Sequence, residues 1–153
     1  MTQPKLYAMT LHRPWTTLIA RGVKKIENRS WAPLPSMLKP GDWFAIHAGK
    51  TYDDTVIAFA RTRGVPIEFF DRPGPVSAIE CLVRFGGAVT HSEDKWFFGP
   101  YGWVLTEAVM IEPVPCRGFQ KLWGVPDELL ETVRVRFAAA RAAVQANHKE
   151  TVP

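Results

Sequence analysis

Residues 11–31 read LHRPWTTLIARGVKKIENRSW, and the fold turns on how this stretch divides. Pro14 suits the first turn of a helix, where its missing N–H costs nothing. Trp15, Leu18 and Ile19 then repeat at helical spacing until Gly22, a natural helix stop. From Lys24 the pattern reads as a strand. It sends Lys25, Glu27, Arg29 and Trp31 to one face and Lys24, Ile26, Asn28 and Ser30 to the other. Neither face is purely apolar. Such a strand is either an internal ion pair capped by an aromatic or the floor of a polar site, and ion pairs alone do not separate the two.

Outward from this unit, Lys5 to Leu11 reads as a first strand, broken by His12-Arg13-Pro14. After Trp31, Pro33, Pro35 and Pro40 exclude regular structure, and Pro40-Gly41-Asp42 marks a turn. Trp43 to Ala48 follows as a buried strand, leading into Gly49-Lys50. A helix is expected from Tyr52 to Arg63 on the spacing of Val56, Ile57, Phe59 and Ala60, with Asp53 and Asp54 at its positive end. Past the proline-rich connection at 65–75, Val76 to Phe85 reads as a central strand.

Trp96 to Phe98 and Trp103 to Ile111 are expected to pair about Gly99-Pro100-Tyr101-Gly102, with their aromatics in the core, or with Trp96 at the rim of a cleft. Cys116 to Trp123 is a closing strand or edge segment. Pro126 opens a helix to about Ala146. It has Leu130, Val133, Phe137, Ala140 and Val144 on one stripe and Arg134 and Arg141 on a solvated face. Strands do not alternate regularly with helices, so a doubly wound parallel sheet is not expected. The class is α+β: a small mixed, mainly antiparallel barrel with helices at its rim and a long C-terminal helix.

At 153 residues, 46% of them hydrophobic and 22% charged, the chain suits one folded domain and excludes a disordered one. The organisation expected is a barrel domain over 1–125, a helix over 126–147 packed on it, and a tail over 148–153. Six tryptophans suit either a well-anchored barrel or platforms for planar ligands. Charge is uneven. Residues 1–63 carry ten Lys or Arg against four acids, a net +6, whereas the remainder carries nine against eleven. A basic half interleaved with tryptophan points to a polyanion or an anionic small molecule.

Cys81 and Cys116 lack CxxC spacing and read as two reduced thiols of an intracellular protein. The four histidines show no HxxxH or HExxH pattern, so neither a metal nor a cofactor is expected. No apolar run has the length of a signal peptide or a membrane span, and a soluble, cytoplasmic monomer is expected.

The residues now in hand carry a resemblance. The order Leu11-His12-Arg13-Pro14-Trp15, then Gly22-x-Lys24-x-x-Glu27-x-Arg29-Ser30-Trp31, then Gly41-Asp42 before Ile46-His47-Ala48, with a late Lys121-Leu122-Trp123, resembles the ASCH domain over roughly residues 6–123. The resemblance implies a PUA-like β-barrel, with a cleft between the first helix and the strands that takes RNA, DNA or a modified base. Carried over position by position, Lys24, Glu27 and Arg29 are the cleft's charged set, and Trp15 and Trp31 match its aromatics.

Chemistry gives each residue a task. Arg29 can make a two-point hydrogen bond to a base edge, and Glu27 can accept from an exocyclic amine or orient Arg29. Trp31 can stack on an unpaired base. Lys24, Lys25, Arg13 and Lys50 are candidates for phosphate. His47 reads equally as a satisfied core residue or a site residue, while Trp15 reads rather as core.

Two function classes follow: a domain that binds nucleic acid or a modified nucleotide, and a hydrolase acting on such a ligand. Some family members resemble amidohydrolases whose lysine is followed, three residues on, by a threonine nucleophile. Here that position is Glu27, which cannot play the hydroxyl's part. Lys24 and Glu27 would have to act as acid and base on a water instead. A third class, an adaptor for a protein partner, would be favoured by a detached C-terminal helix with an apolar outer face.

Overall fold

The computed structural model describes residues 3–151, and side chains for 3–147. The chain runs through β1 (Tyr7–Arg13), α1 (Trp15–Ala20), β2 (Ile26–Arg29), β3 (Trp43–Tyr52), α2 (Thr55–Arg61), a 3₁₀ turn (Ile67–Phe70), β4 (Ala78–Val89), β5 (Tyr101–Pro115), β6 (Leu122–Gly124) and α3 (Asp127–Thr151). The six strands form one sheet in the order β2-β5-β4-β3-β1-β6, antiparallel except for the β1–β3 pair. The expected α+β class with a mixed, mainly antiparallel sheet is therefore present. The barrel it curls into is open, because β2 and β6 end the order without pairing to each other.

Alternation along β1 assigns its two faces. Met9 and Leu11 enter a core with Ile19, Phe44, Ile46, Val83, Phe85 and Trp103, while Ala8 enters a second one beneath α3. That second core takes Leu129, Leu130, Val133, Phe137 and Ala140 from the helix, so α3 is docked against the sheet. The packed stripe ends there. Val144, expected on it, is 59% exposed. Arg141 is not simply solvated, for its guanidinium lies 5.3 Å from the centroid of the Trp43 ring. Positions 148–151, read from sequence as tail, continue α3, and residues 152 and 153 lie outside the described residues.

One expected strand is missing. Trp96 to Phe98 forms no ladder with β5, whose partners are β4 and β2. The reason is a side chain that satisfies the loop's backbone in place of a strand. Asn28 donates to the Trp96 carbonyl (2.8 Å) and accepts from the N–H groups of Phe98 (2.7 Å) and Gly99 (3.1 Å). Trp96 is not at a rim: it is 2% exposed, in a third core with Leu18, Val56 and Ala60. The Cys116 to Trp123 segment supplies a short edge strand at its end, pairing β6 with Tyr7–Met9 of β1. Among the described residues no helix is long and apolar enough to cross a membrane, and Cys81 and Cys116 are free thiols.

Candidate functional site

The opening in the barrel is also where the charged residues of the 22–31 stretch collect. Beyond Met9, β1 has no β6 residue beside it, and β2 pairs only with β5. Between these two strands lies a cavity of about 340 Å³, lined by Thr10, Leu11 and His12 of β1, Trp15 of α1, Lys24, Glu27, Asn28 and Arg29, and Phe98 from the loop that Asn28 holds. Its size suits a nucleoside-sized ligand.

Gly22, at φ +75°, turns the chain out of α1. The N–H groups of Val23 and Lys24 both return to the Leu18 carbonyl (2.9 and 3.0 Å). This tight exit tucks the Lys24 side chain back under β2, and the residue is 3% exposed. Its ammonium donates to the Ile26 carbonyl and to Glu27 Oε1 (3.1 Å), and it stands 5.3 Å from the centroid of the Trp15 ring. Strand alternation placed Lys24 and Glu27 on opposite faces. They meet because Lys24 precedes the strand proper, which starts at Ile26.

Glu27 is 7% exposed, and its second oxygen lies 3.6 Å from Arg29 Nη1. One carboxylate thus stands between two cations. Burying it is tolerable only because it is paired on both sides. Arg29 has a donor left over: its Nε is buried with no hydrogen-bond partner among the described residues. Arg29 is among the residues that line the cavity, while this N–H is itself buried, a donor that the fold leaves unsatisfied.

The remaining expected residues are dispersed. Lys25 is exposed and its side chain does not line the cleft. Trp31 packs edge-on against Trp103 at 5.0 Å, while its carbonyl accepts from the Trp103 indole. Arg13 donates to the carbonyls of Gly49 (2.9 Å) and Lys50 (2.8 Å), a brace on β3. Lys50 is exposed beside a second groove, with His47 at that groove's base. His47 is 1% exposed and bonded at both ring nitrogens, to Thr10 Oγ1 (3.1 Å) and the Cys116 carbonyl (2.8 Å). Since a carbonyl only accepts, Nε2 carries the proton and Nδ1 takes the Thr10 hydroxyl. Burial pushes the imidazole below its ordinary 6.5, with the Cys116 carbonyl opposing.

Sequence reasoning missed five cleft residues: Asn28, which positions the loop, Phe98, which is 48% exposed, and Thr10, Leu11 and His12 of β1. Asn28 and His12 sit inside the quoted motif, so attention to every polar residue of the open strands would have found them. Trp15, read as core, lines the cleft while packing edge-on against Phe59 at 5.8 Å. Also unforeseen is Glu80, 4% exposed in the apolar run of β4. Burial raises its carboxyl pKa, opposed by the Thr16 hydroxyl, Arg21 and Arg13.

Fold and cleft together define an α+β, PUA-like domain with a polar pocket at the open seam of its barrel. Residues 9–114 match the ASCH domain family. Activating signal cointegrator 1 of Homo sapiens is 34% identical over 140 residues. The match covers 80% of this chain and 23% of that protein, so the chain spans about a quarter of its relative's length. The crystal structure of ASCH from Zymomonas mobilis has the same fold, with a TM-score of 0.53 at 15% identity over 86% of this chain and 94% of that one. The chain belongs to the ASCH domain family.

Proposed function

We propose that the cleft between β1 and β2 binds an unpaired base of a nucleic acid, RNA in the first instance. The ASCH domain is a PUA-like fold associated with RNA binding, and the observation that carries the reading to this cleft is the Arg29–Glu27–Lys24 row with its unspent Arg29 Nε. Lys24 is consumed in holding Glu27, so its task is to fix that carboxylate in position. Glu27 then accepts from an exocyclic or ring N–H, and Arg29 donates to a carbonyl, ring nitrogen or phosphate oxygen beside it. Trp15 and Phe98 add apolar surface to the lining, against which a base plane can pack.

Hydrolysis is the second reading. It rests on the 3.1 Å separation of Lys24 Nζ and Glu27 Oε1, close enough for Glu27 to take a proton from an attacking water while the Lys24 ammonium gives one to the leaving group as its bond to the substrate breaks.

The test is fluorescence anisotropy of labelled single- and double-stranded RNA and DNA at two salt concentrations, with wild type and Arg29→Ala. Single-stranded RNA bound by wild type and released by the variant supports the base pocket. Equal affinity of the two proteins for every probe defeats it. Intact probe after long incubation, with binding retained, removes the hydrolase reading alone.

A further inference from the structure

Resting on the cleft as a base pocket, we propose that its ligand is a single strand that continues past β1 into a second groove, where Phe119 stacks the next base and Arg117 and Lys50 hold its phosphates. This groove, of about 580 Å³, shares Thr10 with the cleft, so both hollows border β1.

The groove is made to present an aromatic. Phe119 is 47% exposed, set edge-on against Trp123 at 5.5 Å, with the Arg117 guanidinium 5.1 Å from its ring centroid. The segment that carries it is bolted to the sheet. The Cys116 carbonyl accepts from both His47 Nε2 (2.8 Å) and Ser77 Oγ (3.1 Å), and Cys116 N–H donates to the Ser77 carbonyl (3.1 Å). Gly118 lies so close that an added Cβ would stand 2.5 Å from His47 Nδ1. An exposed ring on a rigid mount is pre-organised for stacking and loses little freedom when a base covers it.

Charge agrees with shape. The groove's lining includes Lys50 and Arg117 and no carboxylate, and Arg13 fixes the Lys50 backbone through its bond to that carbonyl. A free nucleoside would use only the cleft, and a paired base has no free face for Phe119. The two hollows together therefore select a single strand over both.

Equilibrium binding of a short labelled single-stranded RNA to Phe119→Ala, Arg117→Ala, Phe119→Trp and Arg29→Ala tests this. Phe119→Ala should weaken the RNA roughly tenfold and Phe119→Trp should restore it. Arg117→Ala should lower the salt slope of log affinity by about 0.7, the share of one phosphate contact on a single strand. Competition by mononucleotides should be unchanged in all three groove variants and lost in Arg29→Ala. If Phe119→Ala and Arg117→Ala bind RNA as wild type does while Arg29→Ala fails, the extension is wrong and the cleft stands. If Arg29→Ala also binds normally, or wild type binds no RNA, both fall.

Discussion

Two buried polar clusters flank β1, and they differ in how completely their hydrogen bonds are closed. On the α3 side, Trp123 Nε1–H donates to Thr10 Oγ1, Thr10 donates to His47 Nδ1, and His47 Nε2–H donates to the Cys116 carbonyl. Each of those donors is spent inside the fold. At the barrel's open seam, Lys24, Glu27 and Arg29 form a row of similar length that lines a cavity, yet it ends on an Arg29 Nε–H without a partner among the described residues. A closed network fixes β3, β6 and the 116–118 segment to β1. An open one leaves a buried donor unsatisfied. Buried charge is thus no mark of function by itself; an unfinished hydrogen-bond row beside a cavity is the sharper sign.

The comparison breaks most severely at Lys24. Lys24→Met keeps the side chain's bulk but leaves Glu27 buried with Arg29 as its remaining partner, and loss of one member of a buried pair costs about 3–5 kcal/mol. Urea denaturation should show that loss, together with abolished binding. On the other side of β1, His47→Leu strands the Thr10 hydroxyl and removes one of the Cys116 carbonyl's donors, at about 2 kcal/mol, without lowering base binding in the cleft.

That variant also sharpens the contrast through pH. The unfolded imidazole takes up its proton near 6.5, while burial keeps the folded one neutral to lower pH. The unfolded chain therefore binds more protons as pH falls, and wild-type stability drops below about pH 6.5 through this group. Urea midpoints measured from neutral to mildly acidic pH should show that His47→Leu lacks this component.

Asn28→Ala should act on the cleft indirectly. With the Trp96 carbonyl and the Phe98 and Gly99 N–H groups released, the loop that carries Phe98 loses its anchor. A stability loss of about 1–2 kcal/mol and weaker single-strand binding are expected, read by thermal unfolding and anisotropy. Arg29→Lys keeps the charge and gives up the planar fork, so binding should fall roughly tenfold with little change in stability. Smallest of all is Lys25→Ala. An exposed lysine outside the cleft should shift stability by less than about 0.5 kcal/mol and leave base affinity intact, a result readable in the same titrations.

Much of the 11–31 stretch was legible because its signals are local. Pro14 and Gly22 bracket α1, and the motif residues Lys24, Glu27 and Arg29 line one cavity. The faces were not legible. Alternation assumed that the strand began at Lys24, whereas the chain first bonds back to Leu18, and that detour brings Lys24 to Glu27. Trp31 fits the motif's pattern equally well, but its partner is Trp103, a neighbour set by the β2–β5 pairing. The aromatic run at 96–103 is rich in strand formers, yet Asn28 across the seam supplies the hydrogen bonds that a ladder would have.

What the sequence by itself determined is the class of fold, the helix between Pro14 and Gly22, the central strand β4 and the docking stripe of α3 as far as Ala140. These follow from propensity and periodicity, which act between residues a few positions apart. Tertiary structure alone decided that the sheet stays open with β2 and β6 unpaired to each other, that Lys24 is consumed by Glu27, that His47 is satisfied by Thr10 and Cys116, and that Phe98 lines the cleft. Each of those depends on which backbone and side-chain groups at distant positions are left to pair once the strands have taken their order, and no local pattern encodes that remainder.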